Sequence, residues 1–509
     1  MKSRLAQWVV VFFAAFAVLG QTPPDKKPPE KPEERPAKFV RTHHIRLDGA
    51  DVPYTTTAEE IILKDAAGKS TARFFTISYT KDGISNPETR PVTFVFNGGP
   101  GSASIWLHFG LVGPRVIDIP SDAQDPGAPP YKMRDNPSTI FRATDLVFVD
   151  PVGTGYSRAT GEKKDEDFWG FDEDADSVAE FIRAFITQHA RWNSPKYILG
   201  ESYGGIRGSL LVQRLQQNLG IALNGAVLIS PALNVATLPF SFQGNDQAYA
   251  TSLPPMAATA YYHHRLGDEF KDLDSLLREV ETFAGGEYLT ALFRGDRLDP
   301  QEKQKVAAEL HRVLGLPTDY ILRSNLRVHP FRFAKELLRD QGKALGLLDG
   351  RYTQSELDNV ADVSQFEPFI TKTSPIYAAL FQTYLRNDLG VDYERRYMTG
   401  NADAGAKWKR PAASASAFAG FPDATAALAQ GTKDNEAFRI FAAGGYNDLI
   451  TSYYATQYNL DHSGIDAGRY SMHIYPGGHM MYLHRPSGEA ISNDIVKFMT
   501  VTPLAGSSG

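Results

Sequence analysis

Ser194-Pro-Lys-Tyr-Ile-Leu-Gly-Glu-Ser-Tyr-Gly-Gly-Ile-Arg207 is the stretch around which the chain is organised. Tyr197-Ile198-Leu199 reads as a short buried strand. Gly200-Glu201-Ser202-Tyr203-Gly204 follows at once and fits G-x-S-x-G. From Ile206 to Leu219 the spacing is helical, with Leu210, Leu211 and Leu215 on one face. A strand, a sharp turn and a helix are the setting of a nucleophile elbow. The flanking glycines keep side chains out of a crowded turn. The turn lifts the Ser202 hydroxyl clear of the sheet and leaves the Tyr203 N–H at a helix N-terminus, free to stabilise an oxyanion.

A serine nucleophile needs a base, and the base needs an orienting acid. On α/β sheets with such an elbow the chain order is serine, acid, histidine. Asp448 and His479 occur in that order, each in a Gly-containing loop directly after an apolar run: Phe438–Ala443 before the first, Ser471–Tyr475 before the second. Asp448 lies 246 residues beyond the serine and His479 a further 31, about one crossover unit. His484 is the rival base. His473 falls within the strand itself and is expected to be structural. No two histidines have i, i+4 zinc spacing, and no metal is assigned.

Other strands end in the same manner. Val92–Phe96 runs into Asn97-Gly-Gly-Pro-Gly-Ser102, and Asp145–Asp150 into Pro151-Val-Gly-Thr-Gly-Tyr-Ser157. An N–H of the first loop would complete an oxyanion hole with that of Tyr203. Between them, Asp172–Ala190 is an amphipathic helix whose acidic start suits the helix dipole. Strands alternating with helices, each strand closed by a Gly-rich loop, predict a parallel sheet covered on both faces. From about Pro239 to Thr425 helical periodicity takes over, in stripes such as Leu273, Leu276, Leu277, Val280 and Val306, Leu310, Val313. This predicts a helical cap over residues 239–425, inserted between core segments 41–238 and 426–502 and lying at the ligand-binding edge of the sheet. Residues 503–509 are expected to be a flexible tail.

Bulk properties narrow the function. The 509 residues are 42% hydrophobic and 22% charged, enough for a large core. A net charge of −6 without a basic stripe argues against a nucleic-acid partner. There is no cysteine, which excludes disulfides, thiolate metal sites and a cysteine nucleophile. Lys2, Arg4 and the apolar run Trp8–Leu19 read as a cleaved export signal over residues 1–20, giving a periplasmic or extracellular protein with no stable membrane insertion. Residues 21–40, rich in Pro, Lys and Glu, read as a disordered tether.

Taken together, these motifs resemble the serine carboxypeptidase family, peptidase family S10, in a bacterial-type exported member. Asn97–Ser102 is similar to its N-G-G-P-G-C-S loop and Asp150–Ser157 to its D-x-P-V-G-T-G-[FY]-S segment, one residue shorter. Gly200–Gly204 matches its G-E-S-Y-[AG] elbow, Gly445–Asp448 is similar to its G-D-x-D, and Gly478-His479 with Pro486 is similar to its G-H-x-V-P-x-x-x-P. The resemblance covers about residues 45–500. It implies an α/β-hydrolase fold and release of C-terminal residues from peptide substrates through an acyl-enzyme, without a cofactor. Carried over, Ser202 is the nucleophile, His479 the base and Asp448 its partner. Gly99 and Tyr203 would form the oxyanion hole, and Asn97, Gly98 and Glu201 would bind the peptide's terminal carboxylate. An esterase or acyltransferase on the same triad is the enzymatic alternative. A noncatalytic binding protein on this scaffold would be expected to have a broken triad.

Two departures stand out. Ser102 replaces the family cysteine, and Leu111 stands where the family has a second glutamate that shares a proton with the elbow glutamate. Without that like charge only burial could raise the Glu201 pKa, and an ionised Glu201 would repel a peptide carboxylate. Arg207 could supply a replacement cation, although an arginine on the outer face of the elbow helix is the simpler expectation.

Overall fold

The computed structural model describes residues 36–240, 244–411 and 421–500. The expected export signal (1–20), most of the expected tether (21–40) and the expected tail (503–509) lie outside these residues. The tether expectation fails at its end, because strand β1 (Lys38–Leu47) begins inside it. Its residues pair in antiparallel register with β2 (Ala50–Lys64), Lys38 opposite Glu59. Lys38 also forms an ion pair with the buried Glu59 at 3.1 Å.

β2 turns through Asp65–Lys69 into β3 (Ser70–Lys81), an antiparallel hairpin. Asp65 Oδ1 accepts the N–H groups of Ala67 and Lys69, which closes the turn. The remaining strands of the main sheet are β4 (Val92–Phe96), β5 (Asp145–Val149), β6 (Lys196–Glu201), β7 (Gly225–Ile229), β8 (Arg439–Gly445) and β9 (Tyr470–Tyr475). Their order is β1-β2-β3-β5-β4-β6-β7-β8-β9, with the short Arg158–Ala159 pairing beside β3. From β5 to β9 every neighbouring pair is parallel. β4 to β7 are buried throughout, which is why their centres read as apolar runs rather than as alternating strands. β9 is the sheet's last strand and is largely half-buried, a correction to the buried strand expected at Ser471–Tyr475.

Helices cover both faces. Helix α1 (Phe171–Gln188) turns Val178, Phe181, Ile182, Phe185 and Ile186 to the core, and helix α2 (Tyr203–Gln213) follows the elbow. This mostly parallel, two-sided sheet is the expected α/β-hydrolase fold. The chain direction across the sheet reverses around β4, so the loops after β4 and β6 face one crevice at the strands' C-terminal ends, where α/β sheets bind ligands.

The described part of 239–425 packs in two ways. Helices α3 (Gln247–Tyr262), α4 (Leu273–Phe283) and α5 (Pro300–Leu314) share a core of their own, built on the predicted stripes. Helix α6 (Pro368–Thr383) and the chain up to Tyr397 instead bury Tyr377, Phe381 and Tyr384 among Phe109, Phe148 and Tyr79 of the main core. Between these parts lies a small antiparallel pair, Lys343–Leu345 with Thr353–Ser355, too short to carry a strand signal.

Candidate active site

Ser202 joins β6 to α2 with φ 62 and ψ −125, a left-handed conformation that is costly for a residue with a Cβ. Its neighbours hold it there. The Ser202 N–H donates to the Ile229 carbonyl at 3.1 Å, and its own carbonyl accepts from Gly205 and Ala232. The turn has no room for larger residues. A Cβ on Gly200 would strike the Gly204 carbonyl, and one on Gly98 would strike the Tyr203 nitrogen. Gly98 therefore lets the loop after β4 lie directly against the elbow.

Asp448 and His479 meet at this edge. Asp448 Oδ2 lies 2.8 Å from His479 Nδ1, and the aspartate is completely buried. Its Oδ1 accepts the N–H groups of Ile450 and Thr451, both at 2.9 Å, and the Thr451 hydroxyl donates to Oδ2 at 2.6 Å. Three donors thus hold the carboxylate in place beside the imidazole. Burial alone would push the His479 pKa down. The charge and hydrogen bond of Asp448, with smaller contributions from Glu201 and Glu367, outweigh burial and raise it above the ordinary histidine value.

A strap from residues 346–351 supports both loops. The His479 N–H donates to the Leu348 carbonyl at 2.5 Å, and the Gly478 N–H to Asp349 Oδ2 at 3.1 Å. On the other side, the Leu449 N–H donates to Leu347 and the Gly350 N–H to Asn447. Asp349 is itself fixed by the Arg351 guanidinium at 2.7 Å. Glu367 accepts the N–H groups of Leu347 and Leu348 and also caps α6. Sequence reasoning missed the strap, because Asp349 and Gly478 are 129 residues apart. The rivals sit elsewhere. His484 Nδ1 pairs with Ser487 Oγ at 2.7 Å, and His473 stacks on Phe441.

Among the described residues, no hydrogen bond engages the N–H of Gly99 or of Tyr203. Both belong to the loops that meet at Gly98. Beside them, Asn97 Nδ2 donates to Glu201 Oε1 at 3.1 Å, and the Tyr482 hydroxyl donates to Oε2 at 2.5 Å. Burial raises the Glu201 pKa to about 7, against the lowering effect of His479, Tyr482 and Asn97. Burial is the one cause that the sequence left for a raised Glu201 pKa, and it is the largest here.

Arg207 is corrected as well. It is fully buried rather than on an outer face, and it is not a free cation. Its Nε donates to Asp174 Oδ2 at 2.7 Å. Asp174, read from the sequence as a charge serving the helix dipole, is the buried partner of this pair.

Comparison with known proteins places these observations. Residues 63–247 match the family model described as serine carboxypeptidase. The chain is 28% identical over 177 residues to serine carboxypeptidase ctsa-3.1 of Caenorhabditis elegans, a match covering 31% of this chain and 29% of that protein. It is 26% identical over 171 residues to serine carboxypeptidase S10 family member 1 of Dictyostelium discoideum, covering 31% and 38%. These matches therefore span well under half the length of either relative. The crystal structure of Kex1(delta)p, a prohormone-processing carboxypeptidase from Saccharomyces cerevisiae, superimposes with a TM-score of 0.56. It is 15% identical in sequence and covers 87% of this chain and 91% of its own, a likeness of fold.

Proposed function

We propose that this chain is a serine carboxypeptidase of the S10 family, which releases C-terminal residues from peptides through an acyl-enzyme. The observation that carries the reading is the position of Glu201, a buried carboxyl of raised pKa placed one residue before a serine in a left-handed turn. In that place it can meet the terminal carboxylate of a peptide whose last peptide bond reaches the Ser202 hydroxyl.

In this reading His479 takes the Ser202 proton as the oxygen attacks the last peptide carbonyl. Asp448 fixes Nδ1–H and stabilises the imidazolium. The Gly99 and Tyr203 N–H groups receive the developing oxyanion. Collapse breaks the C–N bond, and His479 gives its proton to the leaving amino acid. Water, deprotonated by the same histidine, then frees the acyl group and restores Ser202. Asn97, Gly98 and Glu201 form the carboxylate end of the site.

The leader-like residues 1–20 support an exported protein, periplasmic or extracellular. Among the described residues no helix is long and apolar enough to cross a membrane. Hydrolysis of a blocked dipeptide with a free C-terminus, its amide and its ester tests the reading. The free acid is expected to be the best peptide substrate, and Ser202→Ala to lose at least a thousandfold in kcat. Equal cleavage of acid and amide, or ester cleavage alone, would move the assignment to an esterase or acyltransferase.

A further inference from the structure

The carboxylate end of the site has a feature that the sequence does not announce. Asn97 Oδ1 accepts the Leu107 N–H at 3.1 Å, which fixes the amide's orientation. Its Nδ2 must then be the group directed at Glu201 Oε1. Oε1 is thus occupied by a donor, and a proton on Glu201 belongs on Oε2. The atom facing Oε2 is the Tyr482 hydroxyl.

Resting on the carboxypeptidase reading above, we propose that Tyr482 is a specificity-determining residue. It stands in for a second carboxyl and, with Glu201, binds the peptide's terminal carboxylate together with one proton.

A phenol hydroxyl both donates and accepts. With Glu201 ionised, the Tyr482 hydrogen points at Oε2 and none is left for a ligand. With Glu201 protonated on Oε2, that proton is donated to the phenol oxygen, and the Tyr482 hydrogen turns to the peptide carboxylate. The pair gains one proton from solvent and no bond is broken. Burial and the Glu201 charge hold the phenol itself protonated, its pKa well above the ordinary tyrosine value. The other groups acting on the pair are Asn97, His479, Asp448 and Tyr377. The histidine favours ionised Glu201 and Asp448 opposes it, so burial decides. Gly110 completes the packing, because a side chain there would collide with the Tyr482 ring and the Tyr377 hydroxyl.

The test is calorimetric titration of the Ser202→Ala chain with the blocked free-acid dipeptide and with its amide, at about pH 8, in two buffers of different ionisation enthalpy. Uptake of close to one proton is expected with the acid and none with the amide. Adding Tyr482→Phe should weaken the acid about tenfold or more and the amide within about threefold. Glu201→Gln, which preserves packing if Tyr482→Phe does not, should abolish proton uptake. Equal weakening of acid and amide, or uptake that persists in Glu201→Gln, overturns the proposal. Failure of a fluorophosphonate to label Ser202 in the wild-type chain would instead remove the hydrolase reading, and this proposal with it.

Discussion

The Arg207 guanidinium donates to the Asn97 backbone carbonyl at 2.6 Å while its other edge holds Asp174. One buried side chain thus ties the loop after β4 to the elbow helix and to α1. The Phe96 and Tyr203 rings lie against it, each 5.4 Å from the guanidinium carbon. Burial raises the Asp174 pKa even beside this cation, so the aspartate depends on its partner.

Arg207→Met should therefore destabilise the fold by about 3–5 kcal/mol, because it strands a buried carboxylate. Urea unfolding measures this. Adding Asp174→Leu should recover most of the loss, since replacing both members of a buried pair is commonly near neutral. The double variant should still turn over slowly, because the Asn97 loop has lost its tie. Full activity in the double variant would mean that the tie serves stability alone.

The histidines can be separated by pH. In the proposed reaction, hydrolysis needs neutral His479, whose pKa is raised. Activity on an ester should therefore rise with pH through a value above the ordinary histidine range, and then level off. If Glu201 binds the peptide carboxylate as proposed, a free-acid peptide also needs it protonated, so kcat/KM should fall again as pH rises through about 7. A bell for the acid and a single rising limb for the ester are expected. His484, whose pKa burial lowers, lies outside this scheme. His484→Ala should keep most activity and the same profile, whereas His479→Ala should lose about three orders of magnitude or more in kcat.

Much of this site could be read from the chain because its parts are local. Ser202, Asp448, His479 and Asn97 each sit in a Gly-rich turn just after an apolar run, and such runs become strands whose C-terminal ends converge. What could not be read depends on distant pairs. Tyr482 and Glu201 are 281 residues apart, and nothing near Tyr482 marks it as more than an aromatic residue after a histidine. Thr451 looks like an ordinary loop threonine until Asp448 is seen to accept its hydroxyl. Arg207 was misplaced because a charged residue on an amphipathic helix is normally exposed, whereas α2 is buried on almost every side from Tyr203 to Ser209. Residues 239–425 read as one cap because periodicity reports helices, and periodicity does not say which core a helix joins.

The strap under the His479 loop gives a kinetic prediction. A Cβ on Gly478 would run into the Asp349 Cα and the Leu348 carbonyl, both belonging to the strap. Gly478→Ala must therefore push the histidine loop and the strap apart. A displacement of about 1 Å at a reacting group costs on the order of a hundredfold in rate. Ester kcat should fall by about that factor, with KM changed far less. Asp349→Asn loses the charge that holds Arg351 and weakens the bond to Gly478, so it should fall in the same direction by less. An unchanged kcat in Gly478→Ala would mean that the strap yields and does not position His479.

Glu201 also predicts how stability varies with pH. Its pKa is raised from 4.5 to about 7 in the folded protein, and the group is fully enclosed. The folded state thus binds this proton more tightly than the unfolded chain. The contribution is fully present below about pH 4.5 and is lost as pH rises through about 7, where Glu201 ionises in place. A shift of that size corresponds to about 3 kcal/mol. His479, also raised, acts with the same sign, so the wild type alone cannot separate the two. Glu201→Gln can, because it keeps a neutral hydrogen-bonding group in the same space. Urea unfolding of both proteins at about pH 5 and pH 8 measures the difference. The variant should gain stability relative to the wild type on going to pH 8, by up to about 3 kcal/mol, while its binding of free-acid peptides loses its pH dependence. Parallel stability curves for the two proteins would mean that Glu201 carries no raised pKa. The alkaline limb of the free-acid profile would then have to come from another group.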